Sequence, residues 1–130
     1  MIYFVYISQY INIMTTKEIA DKVVALNRTG DYATIYQELY AENAVSIENW
    51  GDKPDVYEGM EAIGKKGEEW MADVEEMHET SCSEPLVADS SFAVTFTMDI
   101  TYKSRGRVKM TELAVYTVKD GKIVKEEFQA

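Results

Sequence analysis

Apolar and polar positions alternate most regularly between His78 and Phe128. Phe92, Val94, Phe96, Met98, Ile100 and Tyr102 alternate with Ala93, Thr95, Thr97, Asp99 and Thr101. A period of two puts one set of side chains on each face of a strand. A second run sets Leu113, Val115 and Thr117 against Glu112, Ala114, Tyr116 and Val118. The pattern predicts four consecutive strands joined by tight turns. One turn is Ser104-Arg105-Gly106-Arg107 and the next is Lys119-Asp120-Gly121-Lys122. Asp-Gly tolerates the positive φ angles of a type I′ hairpin.

The pattern before residue 78 is helical. Thr15 and Glu18 fit a capping box, and Ile19, Val23 and Leu26 come after it at helical spacing. Gly30 stands where a helix would end on a left-handed residue, and Asp31 can cap a second helix. Tyr32, Ile35, Tyr36, Leu39 and Tyr40 recur every three or four residues and predict one apolar stripe. Ala44 to Asn49 reads as a short strand, and Trp50 to Tyr57 as a flap or pocket lip. Gly59 opens a third helix with Ile63, Trp70, Met71 and Val74 at its apolar positions. Gly64 and Gly67 each cost about 1 kcal/mol there relative to Ala, which points to close approach of another element. The class is α+β, three N-terminal helices packed on one side of a strongly curved antiparallel sheet.

Composition narrows the function. The chain has 130 residues, the size of one domain, and a formal charge of −10. That charge repels phosphate backbones and anionic lipid, so nucleic-acid and membrane binding are disfavoured. A solvated acidic surface is the plainer reading, and a cationic partner the alternative. The single cysteine, Cys82, cannot form a disulfide within the chain and reads as a small buried hydrophobe. His78 lies four residues from it on the same face of an extended strand, roughly 13 Å away, too far to activate the thiol. One histidine and no cysteine pair argue against a zinc site, and no cofactor is expected.

Residues 1–13 begin with an apolar, β-favouring run, Ile2 to Ile7. It lacks the positive flank of a signal peptide and is too short to span a bilayer, so a cytoplasmic location is expected. Met14-Thr15-Thr16-Lys17 looks like a start of translation. The expected division is an upstream extension over 1–13, which would add to a sheet edge or cover apolar surface, and a domain over 14–130.

Three stretches carry a family resemblance. They are Leu39-Tyr40-Ala41-Glu42-Asn43-Ala44, Tyr57-Glu58-Gly59-Met60-Glu61-Ala62-Ile63, and Glu112 to Val124 with Glu126-Glu127-Phe128 after it. Over roughly residues 15–129 the chain resembles the SnoaL-like, polyketide cyclase-related group of the nuclear transport factor 2-like superfamily. The resemblance implies a cone-shaped fold whose sheet wraps the helices around an apolar pocket. It also implies a homodimer formed through the sheet. The superfamily holds isomerases, cyclases and dehydratases, transport factors and members without activity, so the fold alone does not assign a reaction.

Enzymes of this group that shuttle protons keep a carboxylate or histidine inside the cone, where burial tunes its pKa. Four candidates fit. Glu48 ends the first strand, where the resemblance places an isomerase's carboxylate base. His78 is the only histidine and can titrate near neutral pH. Asp99 resembles the strand aspartate of polyketide cyclases, although it shares its face with threonines. Glu112 shares a face with Tyr116; beyond these four, Glu126 lies beside Phe128's face on the last strand. For each, the competing reading is a surface or interface charge. Tyr36, Trp70 and Tyr116 are expected to be pocket walls or core.

Two functions remain open. One is an isomerase- or cyclase-type enzyme in which Glu48 takes a proton next to a carbonyl while His78 or a tyrosine steadies the enolate oxygen. The other is a non-catalytic module that binds a small apolar or carbonyl-bearing molecule, or that only dimerises.

Overall fold

The computed structural model of the chain describes residues 13–130. Apart from Ile13, the expectation for the N-terminal run lies outside the described residues. Helix α1 is Thr16–Thr29. Its capping box is present, with the Thr15 side chain accepting from the Glu18 amide and Glu18 accepting from the Thr15 amide. It ends on Gly30 at φ 77°. Ile19, Ala20, Val23 and Val24 are its buried face.

The expected second helix is much shorter than its apolar stripe. Asp31 caps α2, Tyr32–Thr34, and the chain then widens into a π turn over Ile35–Leu39. Strand β1, Tyr40–Asn49, begins at the next residue. Ile35 and Leu39 are buried in the core. Tyr40 belongs to the strand rather than to the helical stripe. A π turn of this kind inserts one extra residue per turn and re-aims the side chains around it.

After β1 come β2, Asp55–Glu58, and α3, Gly59–Asp73. The remaining strands are β3 (Val74–Cys82), β4 (Leu86–Val87), β5 (Ser91–Tyr102), β6 (Gly106–Lys119) and β7 (Lys122–Gln129). The order across the sheet is β2-β1-β7-β6-β5-β3, with β4 also paired to β5. Three helices therefore pack on a mixed and mostly antiparallel sheet. The one departure from the antiparallel expectation is that β1 runs parallel to β7. These strands lie far apart in sequence, so no hairpin forces them to run in opposite directions.

The β6–β7 turn has Asp120 at φ 52° and Gly121 at φ 75°, as a type I′ hairpin requires. The β5–β6 turn is Lys103 to Arg105, with Gly106 at φ 78° pairing back to Tyr102. Three strand pairs carry register shifts, β1/β7, β3/β5 and β6/β7. Such bulges bend a strand and rotate the residues beyond them onto the other face. Two of them decide where titratable side chains point.

Candidate ligand cavity

The inward face of β1 carries Ala44, Ser46 and Glu48, and that of β6 carries Met110, Glu112, Ala114 and Tyr116. On β7 the shift between Thr117 and Val118 lets Ile123 and Glu126 both point inward although they are three residues apart. Helix α3 closes over these strands with Ile63, Lys66, Gly67 and Trp70, which recur at helical spacing. The space left is a cavity of about 1390 Å³. Its walls include Tyr36, Trp70, Phe96, Tyr116 and Phe128.

Glu126 is the most enclosed charge, 1% exposed. It accepts hydrogen bonds from the Tyr40 hydroxyl and from Ser46 Oγ, the latter at 2.6 Å. Lys66 enters from α3. Its Nζ donates to Ser46 Oγ at 2.7 Å and to Glu48 Oε2 at 2.5 Å, and lies 3.4 Å from Glu126 Oε2. The ammonium also sits 4.9 Å from the Phe128 ring centroid and 5.1 Å from that of Tyr57. The second oxygen of Glu48 accepts from Trp50 Nε1 at 2.8 Å. Both oxygens of Glu48 are thus engaged, and one lysine serves two carboxylates.

Glu112 is different. It is 9% exposed, it lines the cavity, and among the described residues no side chain donates to it or pairs with it. Burial, and then the negative charges of Glu48 and Glu126, push its carboxyl up from 4.5 to about 7, against the opposing pull of Lys66. Tyr36 lines the same cavity, and burial, with the fields of Glu126 and Glu48 next, raises its hydroxyl far above the ordinary tyrosine range. Trp70 Nε1 donates to the Tyr102 hydroxyl at 3.2 Å. Tyr116 is buried and stacks on Phe92 with centroids 4.7 Å apart.

The cavity therefore unites Glu48 and Glu112 with the expected walls Tyr36, Trp70 and Tyr116. It does not include His78 or Asp99. A register shift between Met77 and Glu79 makes His78 a bulge residue, and its Nε2 lies 2.6 Å from Thr101 Oγ1 on the outer face. Simple alternation placed His78 on the face of Cys82; the bulge separates them, and only Cys82 faces the cavity. Asp99 takes two hydrogen bonds from the Arg107 guanidinium at 3.0 and 2.9 Å on that outer face. Those bonds hold its carboxyl below the usual range.

Lys66, Ser46 and Tyr40 were not legible as site residues by strand or helix class alone. The available signal was a lysine at i+3 from Ile63 and i−4 from Trp70, a charge inside an apolar stripe. The expectation of close approach at Gly64 and Gly67 is corrected. A Cβ built at either meets nothing within 4 Å, and both glycines border the cavity. Their missing side chains leave volume open.

The fold, helices packed on a mixed and mostly antiparallel sheet, is that of the nuclear transport factor 2-like class. The profile of the SnoaL-like domain family matches residues 14–129, and the chain belongs to that family. A Mesorhizobium loti protein assigned to the SnoaL-like polyketide cyclases is 36% identical, with a TM-score of 0.84 over 90% of this chain and 100% of its own. A Jannaschia protein of the same assignment is 14% identical, with a TM-score of 0.71 over 91% of this chain and 87% of its own. A nuclear transport factor 2-like protein of unknown function from Burkholderia pseudomallei is 13% identical, with a TM-score of 0.71 over 89% and 91%. These last two likenesses speak for the fold alone. No protein of curated function matches the sequence significantly. Among the described residues no helix is long and apolar enough to cross a membrane.

Proposed function

We propose that the chain catalyses proton transfer next to a carbonyl on a small molecule held in the cavity, with Glu112 as the proton carrier. One observation carries this reading: the carboxyl of a buried glutamate opens on the cavity without a partner among the described residues, and burial pushes it up to about 7. A group balanced at that point takes and returns a proton with little cost in either direction. Glu112 as carboxylate removes the proton α to the carbonyl, and as acid it returns that proton to another position. The developing oxyanion needs a neutral donor. Tyr36 supplies one, because its raised pKa keeps the hydroxyl protonated.

Lys66 and Glu48 hold the site rather than react in it. The Lys66 ammonium donates to Ser46 and Glu48 and pairs with Glu126, and both Glu48 oxygens are bonded. The base role that the resemblance implied for Glu48 passes to Glu112 in this reading. The direct test is α-proton exchange of a panel of neutral cyclic ketones in D2O, monitored by NMR. The parent protein should accelerate exchange of at least one, and Glu112→Gln should lose that acceleration while keeping the parent's circular dichroism. Binding without accelerated exchange would leave the alternative, a non-catalytic ligand-binding module of the same fold.

A further inference from the structure

The charges around the cavity are unbalanced. Five glutamates line it against Arg28, Lys66 and Arg105. Arg28 is spent at the rim, donating to the Cys82 carbonyl and to Glu84 at 2.9 Å. Arg105 lies over the Tyr102 ring, 4.2 Å from its centroid. Deeper in, Lys66 is shared by Glu48 and Glu126, which leaves one negative charge in excess before Glu112 is counted. Glu112 is then the cavity-facing carboxyl of a buried glutamate that has no donor among the described residues.

The walls beside Glu112 are aromatic. Phe96 stands directly opposite it across the β5–β6 ladder, a spacing that brings the two Cβ atoms within about 5 Å. Tyr116 lies further along the same face of β6, and Tyr36 approaches from the π turn. Ring faces and unpaired carboxylates favour one kind of ligand, since both attract positive charge. Beside Glu112 an anionic ligand would meet the excess charge with only Lys66, already shared by two carboxylates, close enough to offset it.

We infer that the cavity selects amine-bearing carbonyl compounds, with the ligand's ammonium group set between Glu112 and the ring of Phe96. This rests on the proposed function for the position of Glu112 and adds the substrate class. The groups that face Glu112 are Glu48 from β1, Lys66 from α3, Glu126 from β7, Tyr36 from the π turn and Tyr116 from its own strand. An ammonium arriving among them draws Glu112 toward its carboxylate form. The same positive charge acidifies a neighbouring C–H.

Calorimetric titration with 2-(1-naphthyl)ethylamine, 2-(1-naphthyl)ethanol and 1-naphthylacetate tests the inference on the intact chain. At about pH 8.5 the amine should bind at least roughly tenfold more tightly than the alcohol, with the acetate weakest. At about pH 6, where Glu112 is protonated, that preference should shrink several-fold. Glu112→Gln should lose the preference for the amine over the alcohol. Equal affinity for amine and alcohol at the higher pH, a preference retained in Glu112→Gln, or no binding of the amine at millimolar concentration would each overturn it. The ketone exchange assay is read separately. Exchange lost in Glu112→Gln together with no amine preference would sink this inference and leave the proton-transfer reading in place.

Discussion

Lys66 Nζ on α3 lies 3.4 Å from Glu126 Oε2 on β7, and Ser46 Oγ bridges them, accepting from the lysine and donating to the glutamate. This contact pins the helix to the buried centre of the sheet. Breaking a buried pair from one side leaves a charge without compensation, at a cost of about 3–5 kcal/mol. Lys66→Met should therefore destabilise the protein by about that amount in urea unfolding. Adding Glu126→Gln should recover part of the loss. Additive effects of the two substitutions would show that the pair is not coupled.

The raised carboxyl of Glu112 makes stability depend on pH. Its folded-state pKa is about 7 against an ordinary 4.5, so the folded state holds its proton longer than the unfolded chain does. The favourable contribution is complete below the unfolded value and is lost as pH rises through 7. The whole shift corresponds to about 3 kcal/mol. Glu112→Gln should remove this loss and be more stable than the parent above neutrality. Denaturant titrations of both proteins across this range check it, and parallel curves would contradict the burial of an ionisable Glu112.

Gly67 faces open cavity, and a Cβ there meets nothing within 4 Å. Gly67→Ala should stabilise α3 by about 0.5–1 kcal/mol, because alanine loses less backbone entropy. Gly121→Ala should do the reverse. That residue sits at φ 75°, and an added Cβ would fall 2.7 Å from Ile13 Cγ2. Thermal unfolding of the two variants side by side distinguishes them by sign.

His78 and Asp99 belong to the outer face, away from the cavity. His78→Gln and Asp99→Asn should bind 2-(1-naphthyl)ethanol with the parent's affinity, whereas Trp70→Ala should weaken it. Loss of binding in either outer-face variant would place those groups in the site after all.

Much of the fold is readable from local pattern. The alternation from Phe92 to Tyr102 needs only neighbours two residues apart, and Asp120-Gly121 needs only its own φ angles. The capping box at Thr15 and the stop at Gly30 are equally local. The candidate site was less legible because bulges reset its phase. His78 turns outward at an unpaired position in β3. Glu126 turns inward because β7 slips against β6 near Val118. The π turn sends Tyr40 into a strand. Each departure depends on a partner strand absent from the local sequence.

The sequence by itself determined the element types, the hairpins, the acidic character and the set of carboxylates available to the proposed site. Short-range sterics and periodicity are enough for those. Only the tertiary structure decided which carboxylate is left without a donor. Glu48 and Glu126 meet Lys66 across elements far apart in the chain, and Glu112 does not. That difference arises from packing one helix against a sheet, where a few ångströms separate a neutralised charge from one that has to share its proton.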